Sequence, residues 1–212
     1  MRFKLAKYIL VFSLVCISSY SFAQRIDIST WKAQISLGIN SPSENGFINS
    51  APAQSINFPT VNLGVQRMFS RTLGAKLDYG FNRFKSENGF QEFKVNYSRV
   101  NAQLVYNPSE SLNFLPQFIQ VVAHGGPGFS FVKPLSGLEE NDQSYLNFNL
   151  GLEVHYQINR KVALYSDISY IYGFTSLDDY NPEILGLGAF NGNVFTVSFG
   201  VSISLSGCYY CE

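Results

Sequence analysis

The sequence predicts an all-β fold, an eight-stranded antiparallel up-and-down transmembrane β-barrel with its apolar face turned outward to lipid, on three observations. Apolar and polar residues alternate with period two through eight separate segments, the pattern of strands with one face in apolar and the other in polar surroundings. The composition, 16% aromatic but only 14% charged, with 19 Phe, 13 Tyr and 17 Gly, suits strands with aromatic ends better than a water-soluble globule. Finally, short and long connections alternate along the chain.

The first two dozen residues read as an address and not as structure. Arg2, Lys4 and Lys7 form a basic start, Tyr8 to Ile17 is an apolar run, and Ser21-Phe22-Ala23 before Gln24 offers a cleavage site of small residues. The run is about half as long as a membrane-spanning helix requires, so it is a cleaved signal peptide and not an anchor. A lipoprotein reading through Cys16 conflicts with Val15, where a small residue is expected before a lipidated cysteine. No other segment is apolar enough for a membrane helix. The division expected is therefore 1–23 signal peptide, 24–207 barrel and 208–212 a short periplasmic tail. Cleavage removes three of the 15 basic residues and none of the 15 acidic ones, so the mature chain is net acidic, which argues against a nucleic-acid partner.

The strands follow in order. In the first, over residues 31–41, Trp31, Ala33, Ile35, Leu37 and Ile39 oppose Lys32, Gln34, Ser36, Gly38 and Asn40. The second sets Val61, Leu63 and Val65 against Asn62, Gly64 and Gln66, and the third sets Leu73, Ala75, Leu77, Tyr79 and Phe81 against Gly74, Lys76, Asp78, Gly80 and Asn82. The fourth, residues 93–106, changes phase near Ser98 and Arg99, where a bulge is expected. Val121, Ala123, Phe129 and Phe131 mark a fifth strand, interrupted by Gly125-Gly126-Pro127-Gly128. The sixth, residues 145–158, is the clearest, with Leu146, Phe148, Leu150, Leu152, Val154 and Tyr156 opposite Asn147, Asn149, Gly151, Glu153 and His155. After Arg160 come Val162, Leu164, Ile168, Tyr170 and Tyr172 of the seventh, and Phe195, Val197, Phe199, Val201 and Ile203 alternate with Thr196, Ser198, Gly200 and Ser202 in the eighth.

Alternation alone also fits a soluble barrel or sandwich, whose apolar face points inward. Three features favour the inverted arrangement. The polar face is mostly Gly, Ser, Asn and Gln, which suits a tight hydrogen-bonded lumen. Aromatics gather at strand ends, Trp31, Phe69, Tyr106, Phe118 and Tyr156 toward one rim and Phe81, Phe129, Tyr172, Phe174 and Phe195 toward the other, as interfacial girdles do. The turns Ser70-Arg71-Thr72 and Asn159-Arg160-Lys161 are short, whereas 41–56, 85–92, 133–143 and 176–193 are long, with 107–117 between the two. Short periplasmic turns with long outer loops mark outer-membrane barrels, and an even strand count puts both termini in the periplasm.

With a signal peptide, eight alternating strands, Tyr97 to Tyr106 followed by Asn107-Pro108, and His124-Gly125-Gly126-Pro127-Gly128, the chain resembles the OmpA- and OmpX-type outer-membrane β-barrel superfamily, especially its Bacteroidetes versions. The resemblance covers nearly the whole mature chain and specifies architecture more than activity; within the class the chain also resembles a PorT-like branch associated with secretion machinery. It implies outer-membrane lipid and the barrel-assembly machinery as partners. Two departures stand out. Full-length OmpA-type proteins continue into a peptidoglycan-binding domain, whereas here only Ser206 to Glu212 follow the last strand, so cell-wall anchoring is not carried over. In this superfamily the last strand ends on a C-terminal aromatic read by the assembly machinery, and here a tail follows Leu205.

The candidate site residues are lumen charges: Lys32, Lys76, Asp78, Glu153 and Asp167 all fall on the polar face. With a turn near Arg160, Glu153 and Asp167 lie nearly opposite each other, and two inward carboxylates at that spacing share a proton or need a cation. They form either an ion gate or a structural network completed by Lys76 or Lys32; the network is favoured because side chains just fill an eight-stranded interior. His124 and His155, the two histidines, share the lumen phase, but nothing in their spacing makes them converge as metal ligands must, and no cofactor or metal is expected. Neither lies on the lipid face, where a lipid-modifying barrel would meet an acyl chain, so no catalytic residue is assigned. Cys208 and Cys211, in Cys-Tyr-Tyr-Cys, are a candidate disulfide in an oxidising periplasm. Glu139-Glu140-Asn141-Asp142 and Asp178-Asp179 with Glu183 lack calcium-loop spacing and read as solvated loop tips. The apolar-flecked stretch Glu183 to Phe190 is the expected contact for another envelope or surface protein.

The reading is thus a non-enzymatic barrel that stabilises the envelope or presents loops for binding. The alternatives are a narrow channel or PorT-like secretion accessory, and after them a lipid-modifying enzyme. Lumen occupancy separates the first two: a plugged interior favours the structural role, and a continuous wet path favours transport.

Overall fold

A computed structural model of the protein describes residues 31–205, apart from 110, 111, 113, 117, 136, 160 and 176–185. The signal peptide, its cleavage site, Arg160, Asp178, Asp179, Glu183 and the Cys208/Cys211 pair lie outside the described residues. Eight strands follow one another: β1 Trp31–Pro42, β2 Asn57–Met68, β3 Leu73–Lys85, β4 Lys94–Tyr106, β5 Ile119–Pro134, β6 Gln143–Gln157, β7 Val162–Gly173 and β8 Val194–Ser204. Each pairs antiparallel with the next, and β8 pairs with β1 to close the barrel. Closure leaves no free sheet edge, which a backbone surrounded by lipid requires.

Polarity is inverted relative to a soluble fold, as the residue types on the two faces anticipate. Leu104, Leu150, Leu77, Phe199 and Ile35 are more than half exposed on the outside, while Gln34, Asn62, Lys76, Asn101 and Glu153 are buried inside. Trp31, Phe69, Tyr106, Phe118 and Tyr156 are exposed around the short-turn rim; Phe129, Tyr172, Phe174 and Phe195 are exposed toward the long-loop rim. No described helix is long and apolar enough to cross a membrane, and the strands do the crossing.

Two strand expectations are corrected. β4 has no bulge: its register with β3 runs without a break from Leu73↔Tyr106 to Lys85↔Lys94. Val95, Tyr97, Arg99, Asn101, Gln103 and Val105 all face inward. What changes near Ser98 is the surroundings and not the register. Toward the short-turn end the outer face is apolar (Val100, Leu104) and the inner face polar; toward the long-loop end Val95 and Tyr97 fill an apolar interior while Asn96 and Ser98 look outward. β5 is not interrupted either, since it runs 16 residues and pairs with β6 throughout, Pro127 opposite Phe148. Pro127 has no N–H to donate and faces outward, and the β4 register keeps the same offset on both sides of it. Beside it, a Cβ on Gly126 would sit 2.1 Å from the Ala102 carbonyl oxygen, so glycine is what permits β4 and β5 to approach. Among the described strand pairs the register shifts elsewhere, between Gly38↔Thr60 and Asn40↔Asn57 of the β1–β2 pair.

The interior is layered. At the long-loop end Phe47, Phe84, Phe93, Tyr97 and Phe190 form an apolar cluster, with Phe190 stacked on Phe47 at 4.9 Å and 4.7 Å from Phe84. A smaller cluster of Met68, Val105 and Val122 lies at the short-turn end. Between them the lumen is polar. Backbone bonds from Ser43 N to Asn193 O and from Asn191 N to Gly46 O, both 3.0 Å, tie the first long connection to the last, and Asn141 Nδ2 donates to Leu187 O at 3.0 Å from the third. Of the stretch that ends at Phe190, the described apolar residues turn into the barrel mouth: Ala189 and Phe190 are fully buried and Leu187 is partly buried against the same cluster.

Candidate functional site: the charged centre of the lumen

The lumen centre is built from inward positions on all sides of the barrel. Register puts Glu153 of β6 directly opposite Asp167 of β7, Lys76 of β3 opposite Gln66 and Gln103, and Asp78 of β3 opposite Gly64 and Asn101. Lys76 Nζ meets Glu153 Oε1 at 2.6 Å across the lumen, both side chains almost completely enclosed. The other Glu153 oxygen, Oε2, accepts from Gln34 Nε2 at 3.0 Å and lies 2.6 Å from His155 Nε2. His155 is itself stacked on Tyr165, with ring centroids 5.2 Å apart and 17° between planes. Glu153 thus has an ammonium, an amide and an imidazole arranged about its two oxygens, which is how a buried carboxylate is satisfied.

Asp167 and Asp78 are held separately. Ser169 Oγ donates to Asp167 Oδ1 at 2.5 Å, and His124 Nε2 lies 3.5 Å from the same oxygen and 3.9 Å from Glu153 Oε1. The other ring nitrogen of His124, Nδ1, bonds Gln103 Oε1, and Gln103 Nε2 donates to Asp78 Oδ1. Lys32 faces the lumen nearer the short-turn mouth, half-buried, and its charge acts on Glu153 only at longer range. The structure therefore gathers Lys76, Asp78, Glu153 and Asp167 into one network and leaves Lys32 at its edge.

Three further lumen residues were not joined to this centre by the sequence. His155 meets Glu153 at 2.6 Å from two residues along the same face of β6, and His124 comes to 3.9 Å of it from β5, an approach that the spacing of the two histidines did not indicate. Arg99 is fully buried, donating from Nη2 to Asn62 Oδ1 at 3.0 Å, with Nε and Nη1 unbonded. Gly80 makes the space, since a Cβ there would lie 2.2 Å from Arg99 Nη1. The unbroken alternation Tyr97, Arg99, Asn101, Gln103 was the signal that marks Arg99 as inward.

Two kinds of chemistry can be weighed on this geometry. His124, Glu153 and Asp167 place ligand atoms within 4.8 Å of one another, the donor types a divalent cation takes. Yet the Glu153 oxygen on that side already holds Lys76, and a cation there would have to displace the ammonium. Acyl-transfer chemistry needs a histidine between the nucleophile and the acid. In the Ser169, Asp167, His124 group the carboxylate stands in the middle instead, so His124 is not placed to take the Ser169 proton. A cavity among Gln34, Lys76, Arg99, Tyr165 and Asp167 measures only about 10 Å³, the lower limit for a single water.

Comparison with known proteins agrees with this architecture. Residues 9–202 match the family model described as outer membrane protein beta-barrel domain. No curated protein matches the chain in sequence. Among solved structures, the chain is similar to Neisserial surface protein A, at 14% identity and a TM-score of 0.55, over 84% of this chain and 98% of that one. It is also similar to a major outer membrane protein from Thermus thermophilus, at 13% identity and a TM-score of 0.52, over 81% and 98%. At these identities the likeness is one of fold.

Proposed function

The chain belongs to the outer membrane protein β-barrel family, whose place is the outer membrane, and on that premise we propose that it is a non-enzymatic, closed barrel that presents a stiff loop surface for binding and reinforces the envelope. The long-loop end faces outward and both termini lie in the periplasm. The observation that carries this reading is the layering of the lumen. A water path would have to cross the Phe47/Phe84/Phe190 cluster, the Lys76–Glu153 network and the Met68/Val105/Val122 cluster in turn, and all three are packed. Ion passage requires continuous wet or exchangeable sites, which these layers do not offer. The first, third and fourth long connections are bonded to one another across the mouth, which supports a surface that binds with little ordering cost. An enzymatic role finds less support, since both histidines are buried in the lumen and away from the lipid face.

Planar-bilayer recording of the refolded chain tests the proposal. Wild type and Glu153→Gln both hold a closed baseline, and Glu153→Gln loses thermal stability. Discrete ohmic steps in wild type whose size changes with Glu153→Gln would overturn the closed-barrel reading in favour of a channel gated at the lumen charges.

A further inference from the structure

The outer wall carries a second feature, independent of the lumen. On three adjacent strands the outward rows change character together toward the long-loop end. The row Tyr79–Val100–Phe129 is followed by Phe81–Ser98–Phe131, and then by Arg83–Asn96–Lys133. One row further, Lys85 stands directly opposite Lys94. All four basic side chains face out of the barrel: Lys85, Lys94 and Lys133 are exposed and Arg83 is partly so.

Dimensions place this cluster at the membrane surface. From the Leu73↔Tyr106 pair to the Phe81↔Ser98 pair is eight residues along β3. At about 3.4 Å per residue and a tilt of about 40°, that is roughly 21 Å of height, close to the apolar band of an outer-membrane barrel. The cations therefore begin within about 7 Å along the strand of where the hydrocarbon ends. Paired residues on neighbouring strands lie about 5 Å apart, which puts the Lys85 and Lys94 stems close enough to bracket one phosphate. Arg83 is already oriented, with Nε donating to Asn96 Oδ1 at 2.9 Å and its guanidinium 5.7 Å from the centre of the Phe81 ring.

Opposing charge does not cancel the cluster. Among the described residues Lys85, Lys94 and Lys133 make no ion pair within 4 Å. Glu87 and Glu92 lie further out on the β3–β4 connection, lining with Lys85 and Lys94 an open hollow of about 420 Å³. Asp142 precedes β6 beside the Lys133 end of β5 without pairing with it. Like charges set about 5 Å apart repel and are destabilising unless an anion lies between them.

We propose that this patch is a binding site for the phosphate groups of an outer-leaflet glycolipid, whose acyl chains lie against Phe81, Phe129 and Phe131 below. Arg83, Lys85, Lys94 and Lys133 neutralise the headgroup phosphates, and the aromatic rows take the first methylenes. The assignment rests on the proposed orientation only for the leaflet involved; affinity measured in detergent does not depend on which end faces outward, so the two readings fail separately.

The test is titration of the full chain in uncharged detergent with bisphosphorylated lipid A, read by native mass spectrometry, against the variant R83Q/K85Q/K94Q/K133Q. Retained heat-modifiable gel mobility shows that the variant is folded; should it not fold, K85Q/K94Q keeps the Arg83–Asn96 bond and replaces it. Each basic residue near an anionic surface contributes about fivefold, so a loss of at least about tenfold is expected. Lipid A stripped of its phosphates should bind both proteins alike, and R67Q/K161Q, at the opposite rim, should bind as wild type does. Equal affinity of wild type and the patch variant overturns the proposal. So does an equal loss for R67Q/K161Q, which would indicate charge attraction without a site, or an undiminished affinity of wild type for the dephosphorylated lipid.

Discussion

Replacing Lys76 by Met removes the cation from the enclosed Lys76–Glu153 pair and leaves the carboxylate behind. At 2.6 Å and an effective dielectric of about 20, the gross attraction is about 6 kcal/mol. Glu153 keeps Gln34 at 3.0 Å and His155 at 2.6 Å on its other oxygen, so part of its solvation by the protein survives. The net cost expected is therefore about 3–5 kcal/mol, the range for breaking a buried pair by removing one member. The double variant K76M/E153Q removes both charges, and it should recover at least half of that loss, because most of the penalty belongs to the stranded carboxylate and little to the lost attraction. Urea unfolding from lipid vesicles, followed by fluorescence, gives the measurement. Trp31 is the one tryptophan of the chain, at the start of β1 with the Arg67 guanidinium 5.2 Å from its ring, so its emission reports on closure of the barrel seam. A K76M stability within about 1 kcal/mol of wild type, or a double variant no more stable than K76M, would show that the Lys76–Glu153 pair does not hold the lumen network together.

Other perturbations probe the remaining layers. Gly126→Ala sets a methyl 2.1 Å from the Ala102 carbonyl oxygen, which the backbone cannot yield, whereas Gly80→Ala meets the movable end of Arg99 at 2.2 Å; G126A is expected to cost clearly more than the about 1–3 kcal/mol of ordinary overpacking and G80A to fall within it, by the same fluorescence assay. Phe190→Ala empties the centre of the aromatic cap and is expected to cost about 3–5 kcal/mol and to speed protease cleavage of the long connections; unchanged cleavage would mean that the cap does not hold them.

Strand count, alternation and the inside–outside assignment were all readable in the residues, because a strand's period of two maps directly onto its two faces and lipid on one side leaves a strong residue-type contrast. The contrast misleads where the environments themselves change. Near Ser98 both faces of β4 switch character, and a pattern read only as apolar against polar takes that for a slipped register. Gly125 to Gly128 looked like an interruption because turn residues are also the ones that permit close strand approach, and a single chain does not say which of the two is at work.

The sequence by itself determined that this chain is a closed, outward-apolar β-barrel, that Lys76, Asp78, Glu153 and Asp167 face inward, and that Glu153 stands near Asp167, since a hairpin with a short turn leaves little freedom in register. Only the tertiary structure decided which cation meets which carboxylate. Lys76 and Glu153 are 77 residues apart and meet because the barrel closes at a diameter that brings opposite walls within one lysine's reach, whereas His155 meets Glu153 from two residues along the same strand and His124 approaches it from the adjacent β5. The inward turn of Phe190 is likewise a property of the closed mouth: its partners Phe47, Phe84 and Tyr97 come from three separate parts of the chain, and nothing local distinguishes an aromatic that caps a barrel from one that projects beyond it.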